Sequence, residues 1–354
     1  VETSAPNIAG YAAQSANEPI APFQFTRREP RADDVAIDIL YCGVCHTDIH
    51  QTRNEWGNAV YPMVPGHEII GRVSGVGSDV TRFKAGDMVG VGTMVDSCRQ
   101  CEACLAGLEV YCENLCTQTY NDKDRHDGLP TYGGYSSKIV VSDKFVLRIP
   151  GALDPKAAGP LLCAGITTYS PLRHWKVGPG MKVAVVGLGG LGHIGLKFAK
   201  AMGADVTLFT RTAGKEAEAK RLGAEHVALS TDRAQMESAA NQFDIVLDTV
   251  PTAHDLNPYL ATLKRDGTLI LVGQLTPIEP PIPGVSLMAG RKSIAGSGSG
   301  GIAETQEMLD FCAEQGITCD VEMINMGEIN NAFERVLKSD VRYRFVIDMA
   351  SLAA

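Results

Sequence analysis

Residues 182–200 read KVAVVGLGGLGHIGLKFAK. An apolar, β-branched run ends in Gly187-x-Gly189-x-x-Gly192, and a helix-compatible stretch begins at once. A phosphate-binding turn needs that order. Glycine permits the tight turn, lets the backbone approach a pyrophosphate and lets the helix pack on the strand, while the helix N-terminus attracts the anion. The turn Gly187, Leu188, Gly189, Gly190, Leu191 and Gly192 is therefore read as a dinucleotide cradle rather than an ordinary glycine-rich connection.

Between about Pro155 and Arg291, β-type runs (KVAVVG, DVTLFT, HVALS, FDIVLDTV, GTLILVG) alternate with helix-compatible stretches (GHIGLKFAKAMG, AGKEAEAKRLG, DLNPYLATLKRDG). This is the signature of βαβ units and a parallel sheet. A site for NAD places an acid about 20 residues beyond the turn, where it accepts from the ribose hydroxyls. Here Asp205 stands at the wrong end of the second strand, and the far end carries Thr210, Arg211, Thr212 and then Lys215. Hydroxyls and cations suit a 2′-phosphate that a carboxylate would repel, so NADP(H) is the expected cofactor. The alternative is that Arg211 and Lys215 are solvated charges at the start of a helix.

From about Val35 to Val141 the pattern differs: short β-type runs (VAIDILYC, EIIGRVSGVG, DMVGVG, SSKIVVS) are separated by glycine, proline and charged turns, as in an all-β barrel or sandwich. Beyond the parallel-sheet region, AETQEMLDFCAEQGI and MGEINNAFERVLKS have amphipathic helical patterns, and RYRFVIDM reads as a closing strand. SGSGG at 297–301 is a turn or hinge.

At 354 residues the chain is large enough for about two domains and does not need disulfide staples. VETSAPNIAGYAAQSANEP lacks a basic segment followed by an apolar core, and the longest apolar stretch is glycine-rich and broken by His193 and Lys197, so neither a secretory leader nor a membrane span is expected. A cytoplasmic, reducing setting follows, where clustered cysteines bind metal or do chemistry. The formal net charge of -9, with no Lys/Arg run, argues against a nucleic-acid partner.

Four of the ten cysteines lie in SCRQCEACLAGLEVYC, residues 97–112, spaced Cys98-x2-Cys101-x2-Cys104-x7-Cys112. Short x2 separations let tight turns aim neighbouring thiolates at one point, as a closed tetrahedral zinc site requires; an iron–sulfur cluster is the alternative. A closed site holds a loop together, so chemistry must lie elsewhere. GVCHTDIH supplies Cys45, His46, Thr47, Asp48 and His50, VPGHEIIG supplies His67 and Glu68, and PLLCAGITTYSPL supplies Cys163. Two thiolates and an imidazole form a three-ligand zinc set with a fourth position free for a substrate oxygen, although spacing alone does not show that they meet.

Together GVCHTDIH, GHE, the four-cysteine run, LLCAGITTYSPL, GLGGLG and VRYRFVIDM resemble the zinc-dependent medium-chain alcohol dehydrogenases, and most closely their cinnamyl alcohol dehydrogenase-type branch of NADPH-dependent aldehyde reductases. The resemblance covers nearly the whole chain from about Phe25. It implies an α/β fold: a GroES-like β-barrel catalytic domain from 1–155 and 292–354, carrying a structural zinc lobe, beside a Rossmann doubly wound parallel sheet at 156–291. It also implies two zinc ions per subunit, a small alcohol or aldehyde substrate, and a homodimer or homotetramer.

By the same resemblance, Cys45, His67 and Cys163 ligate the catalytic zinc and Glu68 visits it when the fourth ligand exchanges. Asp48 orients a zinc histidine, a task some carboxylate near such a site must perform. Thr47 passes the substrate's hydroxyl proton, with His50 as the outlet, and His46 faces the cofactor pyrophosphate. Thr167, the turn 187–192, Thr210 to Lys215, Thr249, Gly273, Gly298 and Ser299 match the cofactor contacts, and Cys98, Cys101, Cys104 and Cys112 hold the structural zinc. The implied reaction is hydride transfer between the nicotinamide and a carbonyl carbon, in an interdomain cleft that closes to exclude water. Trp56, Met94, Tyr120 and Leu115 lie on segments that approach the substrate, with core packing the equal alternative for each. Lignin-forming plant enzymes carry tryptophan two residues before the Tyr-Asn matching Tyr120-Asn121; here Gln118 stands there, which favours a broad reductase of aromatic and medium-chain aldehydes over a dedicated monolignol enzyme. The rivals are an NAD-linked alcohol oxidiser of the same fold, a zinc-free quinone reductase, which would lack Cys45, His67 and Cys163, and a zinc-ribbon nucleic-acid-binding protein.

Overall fold

A computed structural model describes residues 7–273 and 276–353. The chain divides into two compact units, residues 1–163 with 300–354, and residues 164–299. These boundaries differ from the expected 155/156 and 291/292. The turn Gly159–Leu162 packs against the first unit, where a Cβ on Gly159 would meet the Glu68 carbonyl, and Ser293–Gly296 is the last strand of the second unit's sheet.

The second unit is built on a six-stranded, all-parallel sheet. In space its strands run His226–Leu229, Asp205–Thr210, Lys182–Val186, Phe243–Asp248, Leu263–Leu271, Ser293–Gly296. Chain order is thus third, second, first, fourth, fifth, sixth, and it reverses beside Lys182–Val186. Open parallel sheets bind ligands at such a reversal, beyond the carboxyl ends of the strands. Val183 to Val186 are all buried, as a strand covered on both faces requires. Two details differ from the sequence reading. Helix Asn257–Thr262 stops where LKRDG already belongs to strand Leu263–Leu271, and a short helix, Arg233–Ser238, follows Asp232, whose Oδ1 accepts from Ala234 N at 2.9 Å.

In the first unit the main sheet runs Val321–Asn325, Arg344–Asp348, Asp34–Gly43, Ile69–Val76, Met88–Val91, Leu147–Arg148, with Lys138–Ser142 also pairing to Asp34–Gly43. Its core gathers Val35, Ile37, Ile69, Val73, Val89, Phe345 and Ile347. Helix Ile329–Leu337 buries Ile329, Ala332, Phe333 and Val336, the i, i+3, i+4, i+7 stripe of an amphipathic helix. An N-terminal hairpin, Asn7–Ala12 with Ala21–Thr26, lies outside the β-rich region read from sequence. A second small pair, Met94–Asp96 with Thr117–Gln118, closes the base of the loop that carries the four-cysteine run.

Candidate active site

Cys45 and His67 reach one point because their strands are antiparallel neighbours. Cys42 pairs with Ile69, so Cys45, just past strand Asp34–Gly43, and His67, just before strand Ile69–Val76, leave the sheet together. Cys45 begins helix His46–Thr52. Cys163 arrives at the end of the turn Gly159–Leu162, held by its N–H donating to the Pro160 carbonyl at 3.3 Å.

Cys45 Sγ lies 3.8 Å from Cys163 Sγ, and His67 Nε2 lies 3.3 Å from Cys163 Sγ. One ligand atom each from Cys45, His67, Glu68 and Cys163 falls within 4.8 Å of the others. Tetrahedral zinc with bonds of about 2.3 Å to sulfur separates two thiolates by about 3.8 Å, so this donor set fits such an ion. The hydrogen bond with Cys163 holds the Cys45 thiol well below its ordinary range, against burial and with help from Arg344. That same contact, with burial, pushes Cys163 well above it.

Asp48, fully buried, orients the group. It accepts from Cys45 N at 2.9 Å, Gly66 N at 3.1 Å and Tyr135 Oη at 3.2 Å, and its Oδ1 lies 3.2 Å from His67 Nδ1. This contact leaves Nε2 facing the sulfurs. Burial alone would lower the His67 pKa, but Asp48 outweighs it and the imidazole stands well above its usual range.

Glu68 is also fully buried, and burial pushes its carboxyl up to about 7 although Arg344 opposes the shift. Its Oε1 pairs with Arg344, on the closing strand, while Oε2 is buried with no hydrogen-bond partner among the described residues. Gly43 leaves room for this carboxylate: a Cβ there would overlap Oε2. Arg344 and Tyr135 went unassigned in the sequence. Arg344 was visible only as a polar residue in the closing β-type stretch and Tyr135 only as a tyrosine before SSKIVVS, with no spacing to tie either to the ligands.

Thr47 and His50 lie one turn apart on helix His46–Thr52, and His50 Nδ1 is 2.5 Å from Glu55 Oε2. His46 is half-buried on the same helix, its ring 6.0 Å from that of His50. The Tyr120 ring stacks on His67 at 5.8 Å, and the Trp56 ring is 5.3 Å from His50. Met94 belongs to the core, and Leu115 is exposed.

The second cluster lies in the loop. Cys98 Sγ is 3.9 Å from Cys104 Sγ, Cys101 Sγ is 4.0 Å from Cys112 Sγ, and all four sulfurs lie within 4.8 Å of one another without a disulfide. These spacings match a closed tetrahedral thiolate site. Backbone N–H groups of Gln100 and Cys101 hold Cys98 down at about 6, and burial pushes Cys104 up to about 12.

In the second unit the expected cofactor residues gather at the carboxyl ends of the parallel strands. Gly187 has φ +90°, which favours glycine, and a Cβ on Gly192 would overlap the Gly187 carbonyl. Thr249 Oγ1 donates to the Val186 carbonyl at 2.7 Å, and Gly273 packs against the Thr249 backbone. Thr210 is buried at the end of its strand, its Oγ1 accepting from Thr212 N at 3.2 Å; Arg211 and Thr212 are exposed and Lys215 half-buried. Asp205, at the opposite end, lies near Lys182 and His226. Thr167 is on helix Ala164–His174, and Gly298 and Ser299 follow strand Ser293–Gly296.

A dinucleotide-type parallel sheet and a cysteine–histidine metal centre define a metal-dependent dehydrogenase. Comparison with known proteins agrees. Residues 31–151 match the alcohol dehydrogenase GroES-like domain, and residues 190–314 match the zinc-binding dehydrogenase domain. The chain belongs to the zinc-binding alcohol dehydrogenase family. It is 54% identical to aldehyde reductase YahK of Escherichia coli (strain K12), over 98% of this chain and 99% of that one. A cinnamyl alcohol dehydrogenase of Sorghum bicolor has a similar structure, with TM-score 0.94 and 49% identity, covering 98% of each chain. So does the Helicobacter pylori enzyme CAD complexed with NADP(H), with TM-score 0.90 and 40% identity, covering 97% of this chain and 98% of that one.

Proposed function

We propose that the chain is a zinc-dependent, NADP(H)-linked alcohol dehydrogenase that acts chiefly as a reductase of aromatic and medium-chain aldehydes and reversibly oxidises the primary alcohols. The convergence of Cys45, His67 and Cys163, with Asp48 behind the imidazole and Glu68 beside it, carries this reading. Relatives named aldehyde reductase and cinnamyl alcohol dehydrogenase, and one bound to NADP(H), support it.

Cys45, His67 and Cys163 hold the catalytic zinc, and Cys98, Cys101, Cys104 and Cys112 hold a structural zinc. When bound, the catalytic zinc acts as a Lewis acid on the substrate oxygen and the reduced dinucleotide supplies the hydride. Asp48 fixes the ring of His67 so that Nε2 faces the metal. Glu68 keeps a carboxylate oxygen in reserve beside the ligands. Thr47 exchanges the substrate's hydroxyl proton, and His50, partly exposed one turn along the helix, carries it to solvent. Gly187 to Gly192 cradle the pyrophosphate, while Thr210, Arg211, Thr212 and Lys215 receive the 2′-phosphate. Thr167, Thr249, Gly273, Gly298 and Ser299 complete the cofactor contacts. The enzyme works in the cytoplasm as a homodimer or homotetramer.

Cys163→Ala tests the metal reading. Turnover should fall by about three orders of magnitude or more, in step with loss of one zinc per chain and with an unchanged circular dichroism spectrum. Activity near the native level would show that the three residues do not act together on a metal.

A further inference from the structure

Asp248 ends strand Phe243–Asp248, and its residue partner across the sheet is Val186, the last residue before the glycine turn. The side chain is 1% exposed, and Oδ1 accepts from Val250 N at 3.0 Å. The pairing with Val186 places this buried carboxylate one strand from the glycine turn, within Coulomb range of a pyrophosphate held there, and like charges at such range oppose binding. Its counter-charge comes from the following loop. His254 Nε2 lies 2.9 Å from Asp248 Oδ2, and His254 Nδ1 lies 2.9 Å from the Thr252 carbonyl. Nδ1 thus has an acceptor, and Nε2 meets Asp248 as a close charge contact without hydrogen-bond alignment, a setting that suits an imidazolium. The ring is 18% exposed and packs edge-on against Tyr259, 5.8 Å away, from helix Asn257–Thr262.

We propose that His254 is a positioning residue for the dinucleotide: as an imidazolium it cancels the Asp248 charge one strand from the phosphate turn, so that an anionic cofactor meets an electrostatically neutral floor. The proposal rests on the dinucleotide reading of the turn. The charged and titratable groups around the ring are Asp248 from its strand, Arg211 from the end of strand Asp205–Thr210, Tyr259 from the helix and Asp255 from its own loop. Asp248 raises the His254 pKa above the usual imidazole value, burial and Arg211 opposing. A raised pKa means that compensation is complete at and below the ordinary imidazole value and is lost as pH rises through the higher one. Cofactor affinity should therefore weaken toward alkaline pH.

The test is the Kd of NADPH and of NADH for the zinc-loaded full chain, read from reduced-nicotinamide fluorescence without turnover, for the native protein, His254→Gln, Asp248→Asn and the double variant. H254Q should bind both dinucleotides about tenfold more weakly near neutral pH, whereas H254Q with D248N should recover to within about twofold of native. Native NADH affinity should decline between about pH 7 and 9, while that of H254Q stays flat over the same window. H254Q binding as well as native, or a double variant as weak as H254Q, would overturn the proposal. A native chain that binds neither dinucleotide would overturn the cofactor reading, and this proposal with it.

Discussion

Arg344 shows most directly how one side chain secures the centre. It is 6% exposed and pairs with fully buried Glu68, beside Cys45 and Cys163. Removing one partner of a buried pair leaves the other charge uncompensated. Arg344→Met should therefore cost about 3 kcal/mol in urea unfolding of the metal-loaded protein. A loss under about 1 kcal/mol would mean that the pair is replaceable by apolar packing. At this scale Cys45, His67 and Cys163 were legible as candidates because thiols and imidazoles stand in recognisable segments. That they meet was not legible, since it depends on the Cys42–Ile69 register and on the turn before Cys163. Arg344 and Tyr135 were silent, because one arginine in a strand, or one tyrosine in a bend before one, carries no spacing signal.

The glycine turn and the cysteine loop carry the next tests, as elements. Gly192→Ala places a methyl group against the Gly187 carbonyl, so the turn must open. NADPH affinity should drop by about tenfold or more in a binding titration, and an unchanged Kd would show that the turn does not hold the cofactor. The loop between Met94–Asp96 and Thr117–Gln118 brings its four cysteines together and leaves Leu105 76% and Leu115 79% exposed, so a metal held there would secure it. Cys104→Ser should release about one zinc per chain, lower Tm by several degrees and open this loop to proteolysis. Native zinc content and Tm in that variant would count against a structural metal. The long apolar strands and the turn were readable because period and glycine placement coincide. Two short elements escaped: Arg233–Ser238 is too short for a helical period, and Ser293–Gly296 has only one residue of strand character, Ile294. Domain boundaries moved because Pro155–Leu162 looks like the start of a helical region yet packs against Glu68 and Gly90.

Over the whole molecule the formal charge is -9, which disfavours any anionic cofactor at long range. Discrimination between NADPH and NADH is then a local matter, proposed to lie with Arg211 and Lys215 at the end of a strand that lacks the acid an NAD site carries. No helix among the described residues is long and apolar enough to cross a membrane. Family membership follows from near full-length similarity. Metal and cofactor specificity can be judged together. The decisive measurement is the initial rate of cinnamaldehyde or benzaldehyde reduction with NADPH and then with NADH, before and after dialysis against a strong zinc chelator, with zinc determined at each stage. A large NADPH preference that disappears with the metal and returns when zinc is restored is the expected result. Equal rates or an NADH preference would reduce Arg211 and Lys215 to surface charges, and activity surviving verified zinc removal would contradict a zinc-dependent reductase outright.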